Sequence, residues 1–366
     1  MGYSFTRLNQ WFTDSFFSLI FLCQLGGISE EPIAVVLDFI LFDSIPVLIR
    51  IFTNHKMNPI FNQKGKRNVV HPQRLNYLQT PNAVYSISCE VSNFGCLTHE
   101  HGCGRGFFSL FIQAVNGIYF EQHTNLLWHV NFGNTAYFYS DAGFESQNFW
   151  NYYFLQKEPS ADSTLIINEA FEVYPIRIWE KSFIEKIHHK VITKLQWRED
   201  VWQFVLKNTA EIRNHAVLGI HIRKTDHSNE LKPSPLEDYF TQIDRLLPSY
   251  TKLFVATDYK DVLETMRQKY LDKIIFHVAH RSRGTVAVHT MHNLLDRYQL
   301  GLEALLDCYS LSLCKKTIRS HSNLSYEACL FNPTMPYILI ESREAWWKRW
   351  KTLLVFYLDK WNIRKW

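Results

Sequence analysis

The sequence predicts an α/β fold whose second half is doubly wound, and three observations lead to that class. Strand-like apolar runs alternate with helical segments from residue 216 to residue 340. In the first half, a glycine-rich loop separates a β-prone run from a periodic helix, as in a β-loop-α-β unit. The 366 residues, 46% hydrophobic and 20% charged, are enough for two domains with substantial cores.

The first half of the chain is predicted to contain two strands and three helices. They are strands 84–87 and 126–130, and helices 107–122, 178–195 and 197–207. In the first of these helices, Phe108, Phe111 and Val115 fall on one face, which is the spacing of an amphipathic segment. The polar stretch 208–215 indicates a boundary between two domains.

The second half alternates strictly between strands and helices. The elements are strand 216–223, helix 235–247, strand 252–256, a helix ending at 270, strand 273–278, helix 297–314, strand 316–319, helix 324–330 and strand 337–340. Ser234 and Glu237 predict a capping box at the first helix, and Asp258 is predicted to cap the second. In such a domain, ligands bind at the carboxyl ends of the strands.

Charge and cysteine content exclude several classes of function. A net charge of +4 is too small to indicate nucleic-acid binding, but it suits an anionic ligand in a local basic pocket. Seven widely spread cysteines do not resemble the disulfide framework of a small secreted domain. The segment 96–103, CLTHEHGC, contains soft ligands, but its spacing matches no standard zinc motif, so an ordinary loop is favoured over a metal site.

Membrane signals in the sequence are ambiguous. The apolar stretch 11–25 is short and contains Asp14, and the stretch 33–52 contains Asp38 and Asp43, whereas a spanning helix needs about 20 apolar residues. We expect no transmembrane helix, with an N-terminal signal anchor as the alternative. The compartment is therefore left open between a cytoplasmic or membrane-associated location and the lumen of the Golgi or endoplasmic reticulum.

The C-terminal segment 344–366 is basic and rich in tryptophan. Trp346, Trp350, Tyr357 and Trp361 fall on one helical stripe. A helix that packs back across the domains is favoured over one that makes peripheral membrane contact, because apolar stripes on terminal helices usually face a core.

Polar side chains concentrate where the strand 216–223 ends. His221 and Arg223 alternate with an isoleucine and therefore share one face of the strand. The guanidinium of Arg223 is suited to bind two phosphate oxygens at once, with Lys224 beside it. Asp226 then orders the loop or holds the arginine. An exposed strand end with an ion pair is the alternative interpretation.

Three further carboxylates are candidates for the same site. Glu230 follows in the same loop and is suited to act as a base on an acceptor hydroxyl, the alternative being a surface glutamate. Asp258 closes the strand 252–256, where it meets a ribose or a base, caps the next helix, or does both. Asp307 lies among leucines in a predicted helix and needs a partner, unless it faces the surface.

A last cluster joins the strand 316–319 to the helix 324–330. Ser320, Ser322 and Asn323 are small polar residues at a helix N-terminus, where free amides and the helix dipole favour an anion such as a diphosphate. A plain polar cap is the alternative. The sequence contains no Asp-x-Asp pair, which favours neutralisation by arginine, lysine and amides over a divalent cation.

These segments together resemble the fucosyltransferase superfamily that contains the α1,6-fucosyltransferases and the nodulation fucosyltransferases. The segment 221–226, HIRKTD, is similar to the His-x-Arg-Arg-x-Asp motif of that family, with Lys224 in place of the second arginine. The segment 254–258, FVATD, resembles the family's strand ending in Ala-Thr-Asp. The segments 305–307 and 320–325 resemble its late motif, with an aspartate and a serine-rich loop.

The resemblance extends over residues 85–345 and includes a softer similarity at 106–117 to the family's glycine loop and first helix. It implies the GT-B fold, an α/β architecture in which two Rossmann-like doubly wound domains face each other across a cleft. The parts would be an N-terminal extension or membrane-proximal segment 1–84, an acceptor-side domain 85–212, a donor domain 213–345 and an aromatic, basic helix 346–366.

The function implied by the resemblance is an inverting, metal-independent transfer of fucose from GDP-fucose to a hydroxyl of a glycan or protein. GDP-fucose is the donor substrate, and no cofactor is implied. The implied catalytic residues are Arg223, Asp226 and Glu230, and the implied donor-binding residues are His221, Arg223, Lys224, Asp258, Asp307, Ser320, Ser322 and Asn323. The alternatives are a glycosyltransferase that uses another nucleotide sugar and an inactive glycan- or nucleotide-binding protein.

Overall fold

A computed structural model describes part of the chain. The described residues are 82–88, 103–121, 127–133, 137–140, 147–167, 181–225, 234–284, 286–290, 296–342, 345–347 and 349–350. All of them belong to the second of two compact units, Gly65–Trp366. The first unit, Met1–Lys64, lies outside the described residues, as do the apolar stretches discussed above.

The first sheet contains three parallel strands. In spatial order they are β2 (Leu127–Val130), β1 (Ala83–Ile87) and β4 (Thr164–Ile167), and α1 (Phe107–Glu121) packs against the first two. A Cβ at Gly117 of α1 would lie 2.6 Å from Cδ1 of Ile87, so a residue without a side chain allows the close approach of helix to strand. The β-loop-α-β unit predicted from the sequence is confirmed.

The segment between the two larger sheets is more broken than predicted. Its elements are β3 (Phe154–Leu155), α2 (Lys181–Lys190), β5 (Gln196–Trp197), α3 (Glu199–Asn208) and α4 (Ala210–Arg213), with β3 and β5 pairing antiparallel. The predicted helix 178–195 was too long, because α2 gives way to a 3₁₀ turn at Ile192–Lys194. The predicted start of the next helix at Trp197 was wrong, because that residue pairs with Phe154 in a strand.

The second sheet contains five strands, all parallel. In spatial order they are β10 (Tyr337–Leu339), β9 (Lys316–Arg319), β6 (Val217–Ile222), β7 (Lys252–Thr257) and β8 (Ile274–Ile275). If β6, β7, β8, β9 and β10 are numbered 1 to 5, the order across the sheet, read from β8 to β10, is 3-2-1-4-5. The direction of winding therefore reverses at β6. In open sheets of this kind, the crevice for a ligand lies at the carboxyl ends of the strands where the order reverses, which here is between β6 and β9.

Helices cover both faces of this sheet. They are α5 (Leu236–Leu246), α6 (Lys260–Tyr270), α7 (Arg297–Leu313) and α8 (Asn323–Phe331). Leu218 and Ile220 of β6 cluster with buried residues of α5 and α6, whereas Phe254 and Ala256 of β7 cluster with residues of α7 and α8. The prediction of a doubly wound α/β domain is therefore confirmed.

Three local predictions in this domain were wrong. Helix α5 begins at Leu236 after an N-cap at Pro235 without a side-chain cap, so the capping box at Ser234 does not form. The N-cap of α6 is Tyr259 and not Asp258, whose carboxylate is engaged elsewhere. Strand β8 is shorter than the predicted 273–278, because backbone carbonyls beyond it bind the guanidinium of Arg281 in place of a strand.

The described residues contain neither a membrane-spanning helix nor a cluster of metal ligands. None of the described helices is both apolar and long enough to cross a bilayer. Among the described residues, no three histidine, cysteine or acidic side chains are placed to hold a metal ion. Cys103 is buried. Its neighbours in the segment 96–101 lie outside the described residues, as does the C-terminal segment from 351 onward.

Candidate functional site

The loop after β6 carries the first group of predicted site residues. His221 is buried near the end of the strand, and Arg223 and Lys224 follow it as half-buried residues. A strand end is the place where side chains leave the sheet, so these two cations lie at the edge where a ligand of the domain is expected. Asp226 and Glu230 lie outside the described residues.

Asp258 fixes this loop from the neighbouring strand. Its Oδ1 accepts from the backbone amide of Lys224 at 3.0 Å, and its Oδ2 accepts from the hydroxyl of Thr225 at 2.6 Å and from that residue's amide at 3.4 Å. The carboxylate thus ties the end of β7 to the loop after β6. Thr225 was not identified from the sequence, because nothing in a lone threonine indicates a partner that lies 33 positions away.

Ser320 makes the corresponding connection between β9 and β6. Its amide donates to the carbonyl of His221 at 3.1 Å, and its Oγ accepts from the amide of Arg223 at 3.3 Å. The same Oγ lies 3.4 Å from Nδ1 of His221 and is hydrogen-bonded to Tyr239, whose pKa is raised by burial. The structure therefore brings residues 221, 223 and 320 together at the point where the strand order reverses.

The start of α8 lies directly after this junction. Ser322 is its N-cap, and its side chain makes no capping hydrogen bond. The hydroxyl of Ser325 instead lies 2.9 Å from the carbonyl of Ser320 and 3.0 Å from that of Ser322, which folds the loop back onto the first turn. The first amides of a helix have no intrahelical partner, so Ser322 and half-buried Asn323 lie at a natural binding position for an anion.

Arg319 has a structural role that the sequence did not indicate. Its side chain is fully buried, its Nη1 donates to the carbonyl of Ser325 at 2.6 Å, and its guanidinium lies 4.4 Å and 3.8 Å from the ring centroids of Tyr326 and Tyr337. This arginine is thus sandwiched between two rings beneath the loop. It supports the 320–325 loop from inside the domain.

Asp307, which the sequence predicts as a donor-binding residue, lies on α7. It is buried in α7, and its Oδ1 has no hydrogen-bond partner. Burial raises the pKa of this carboxyl to about 7, the positive charge of Arg281 acts to lower it, and Glu303 acts to raise it further. At neutral pH it is therefore partly protonated.

Arg281 organises the edge beyond β7, a role that sequence reasoning missed. Its guanidinium donates to the carbonyls of Thr257 at 3.1 Å, Ala279 at 3.1 Å and His277 at 2.9 Å. Burial, together with the positive charge of Arg281, lowers the pKa of His277 to about 4, so the imidazole is neutral. A lone arginine in a loop gives no sequence signal for such a threefold carbonyl contact.

The arrangement as a whole places two basic residues on a fixed backbone. Arg223 and Lys224 follow β6 where the strand order reverses, and Ser320 and Asp258 at neighbouring strand ends accept from their backbone amides. The start of α8 lies directly after Ser320 and His321. Preorganised cations and helix amides are the groups that stabilise negative charge on a leaving phosphate, which makes this arrangement a candidate site for such an anion.

Comparison with known proteins gives structural similarity only. No family model matches the chain, and no curated protein matches it. Among solved structures, NodZ α-1,6-fucosyltransferase soaked with GDP-fucose is similar over 71% of this chain and 94% of that chain, with 15% identity and a TM-score of 0.44.

Two further solved structures are similar to the chain. The fucosyltransferase NodZ from Bradyrhizobium covers 71% of this chain and 95% of its own, with 14% identity and a TM-score of 0.42. POFUT1 in complex with GDP covers 71% and 98%, with 8% identity and a TM-score of 0.38.

Proposed function

We propose that this chain is an inverting glycosyltransferase that transfers fucose from GDP-fucose to a hydroxyl of a glycan or protein. The observation that carries the proposal is the junction between the amide of Arg223 and Oγ of Ser320, 3.3 Å apart. It places a guanidinium-bearing residue beside the uncapped start of α8, where a parallel sheet of order 3-2-1-4-5 binds its ligand.

The proposed overall arrangement is the GT-B fold. A Rossmann-like domain at 85–212 would bind the acceptor, and one at 213–345 would bind the donor across a cleft. The two parallel sheets fall on either side of that boundary, which supports the division.

The proposed chemistry is a single displacement at the anomeric carbon. The bond to the diphosphate breaks as the acceptor oxygen attacks from the opposite face, and the leaving GDP gathers negative charge. Arg223, Lys224 and the amides at Ser322 and Asn323 stabilise that charge, and each preorganised donor is worth about 2–4 kcal/mol. The protein's own cations and amides serve where other enzymes use a divalent metal, so neither a metal nor a cofactor is part of the scheme.

The remaining residues divide into acid–base and supporting roles. Glu230 removes the proton of the acceptor hydroxyl, and Asp226 orders the loop that carries it. Asp258 supports the site through the loop after β6, because its carboxylate accepts three hydrogen bonds within the protein. His221 and Asp307 support the pocket that receives the nucleoside.

Thermal-shift screening against GDP, UDP, ADP and their sugars tests the donor. A ligand that binds only the folded state raises the melting temperature, and we expect GDP and GDP-fucose to do so. The Arg223→Ala variant should lose the shift and the transfer activity, whereas Lys224→Ala should lose less of both. Lys273→Ala, at an exposed position away from the loop, is the control.

The same screen separates the alternatives. A shift with another nucleotide sugar alone would assign a different donor, as the lysine at 224 in place of a second arginine allows. Nucleotide binding without GDP release in the presence of acceptors would identify a binding protein that lacks catalysis. Full binding and transfer by Arg223→Ala would refute the proposed site.

A further inference from the structure

His321 lies at the centre of the proposed phosphate loop, yet its side chain is turned inward. It is buried between Ser320 and Ser322, and its Nδ1 lies 2.7 Å from the hydroxyl of Tyr326. Its Nε2 lies 2.9 Å from Oε2 of Glu341, a residue just after β10. Both ring nitrogens are thus occupied, and the imidazole connects the loop to the C-terminal part of the chain.

Glu341 is held in turn by Arg349. The guanidinium donates from Nη2 to Oε1 at 2.8 Å and from Nε to Oε2 at 3.2 Å, which is a two-point contact. Burial acts to raise the pKa of Glu341, but the hydrogen bonds from His321 and Arg349 outweigh it, and the pKa lies below its usual value. The carboxylate is therefore ionised and has a cationic partner.

Arg349 belongs to a helical turn that the chain fixes independently of this contact. Residues 345–347 and 349–350 are helical, Ala345 is buried, and its amide donates to Oγ of Ser342 at 3.2 Å. The amide of Trp346 donates to the carbonyl of Ser342 at 2.9 Å. The arginine is thus presented from an anchored turn.

We propose that Arg349 and Glu341 are positioning residues that set the affinity of the 320–322 loop for a diphosphate, acting through His321. The inference rests on the proposed nucleotide site. Any displacement of His321 moves its two chain neighbours, Ser320 and Ser322. Ser320 accepts from the amide of Arg223, and Ser322 is the N-cap of α8. Without Arg349, the half-buried carboxylate of Glu341 loses its guanidinium partner, and the imidazole of His321 is held less firmly.

Calorimetric titration with GDP and with guanosine tests this positioning role. In Arg349→Met, we expect the affinity for GDP to fall about tenfold, the effect of one weakened charge-assisted contact, while guanosine binds as in the wild type. Arg349→Lys keeps the charge and should recover most of the affinity. Arg245→Met, which removes an exposed arginine from α5, is the control.

Hydrogen exchange of the ligand-free protein provides the second measurement. Amides of 320–326 should exchange faster in Arg349→Met, while those of β6 remain unchanged. Equal losses of GDP and guanosine affinity would overturn the inference, since they indicate general damage. A change in only one of the two measurements would also overturn it. If the wild-type protein binds no nucleotide, the proposed function fails. Unchanged exchange of the 320–326 amides in Arg349→Met would overturn the coupling between Arg349 and the loop, whatever the nucleotide result.

Discussion

Asp258 and Thr225 are joined by two hydrogen bonds, at 2.6 Å from the hydroxyl and at 3.4 Å from the amide, although 33 positions separate them. The carboxylate also accepts from the amide of Lys224. The loop that presents the two cations of the candidate site is therefore fastened to the next strand of the sheet. Asp258 thus fixes the loop at residues 224 and 225, while Ser320 fixes it at residue 223.

Thr225→Val tests that attachment with little change of shape. Loss of a hydrogen bond to a charged acceptor should lower the free energy of unfolding by about 1.5–3 kcal/mol, and nucleotide affinity should fall with it. Urea denaturation and titration with GDP measure the two effects. Thr265→Val on α6, where an exposed hydroxyl donates to the carbonyl of Asp261 at 2.8 Å, should cost much less. Equal stability of the two variants would contradict the role given to Asp258.

Arg319→Lys should destabilise the protein strongly. The planar guanidinium lies between the rings of Tyr326 and Tyr337 and donates to the carbonyl of Ser325, and an ammonium group cannot reproduce that geometry. We expect the free energy of unfolding to fall by about 3 kcal/mol, in the range for disruption of a buried network.

The matched control for that variant is Arg283→Lys. Arg283 is exposed and lies 3.6 Å from Glu264 in a surface ion pair, so its exchange for lysine should change stability by less than about 0.5 kcal/mol. If the two substitutions lower the free energy of unfolding by similar amounts, the contact of Arg319 with the rings of Tyr326 and Tyr337 does not stabilise the protein specifically.

Much of the second domain could be predicted because its signals are local. Strand β9 was predicted with its observed bounds, and α7 to within one residue, because apolar period and turn residues are properties of short windows. Asp258 is a residue for which local signals are not sufficient. Its position before a helix predicts a helix cap, but its carboxylate instead accepts a hydrogen bond from Thr225, and no short sequence window contains both residues.

The sequence indicates where the loops of the candidate site lie, but not which buried residues hold those loops in place. The loop 320–325 has the composition of a helix start, so its location followed from the sequence. One partner of each of His321 and Arg319 comes from β10 or the residues beyond it, namely Glu341 and Tyr337, and the roles of these contacts depend on burial, which a single sequence does not specify. The same reason explains why the carbonyl contacts of Arg281 were missed.

Glu230→Gln should separate chemistry from binding. If this residue is the base, the variant keeps its affinity for GDP, because the amide preserves size, but loses transfer by a factor of about 10²–10⁴. Titration with GDP and a transfer assay on the same preparation measure the two properties. Glu237→Gln, an exposed acid in the first turn of α5, serves as the control. Unimpaired transfer by Glu230→Gln would move the role of base to another residue.

The buried acid of α7 gives a prediction about pH. Asp307 has a folded-state pKa of about 7, mainly because burial disfavours its charged form, against an ordinary value of 3.8. At a pH below 3.8, a raised carboxyl pKa does not change the free energy of unfolding. Between pH 3.8 and pH 7 the folded protein loses stability progressively, because only the unfolded chain releases its proton there. Above pH 7 the loss is constant.

Asp307→Asn removes that cost, since the amide does not titrate. The stability of the variant relative to the wild type should therefore rise from about pH 4 to pH 7 and then level off, by an amount on the order of 4 kcal/mol. Urea denaturation of both proteins across this range measures the difference. Asp261→Asn, at an exposed position on α6, is the control. A stability difference for Asp307→Asn that does not change with pH would mean that Asp307 is ionised in the folded protein throughout this range, with its charge compensated by Arg281.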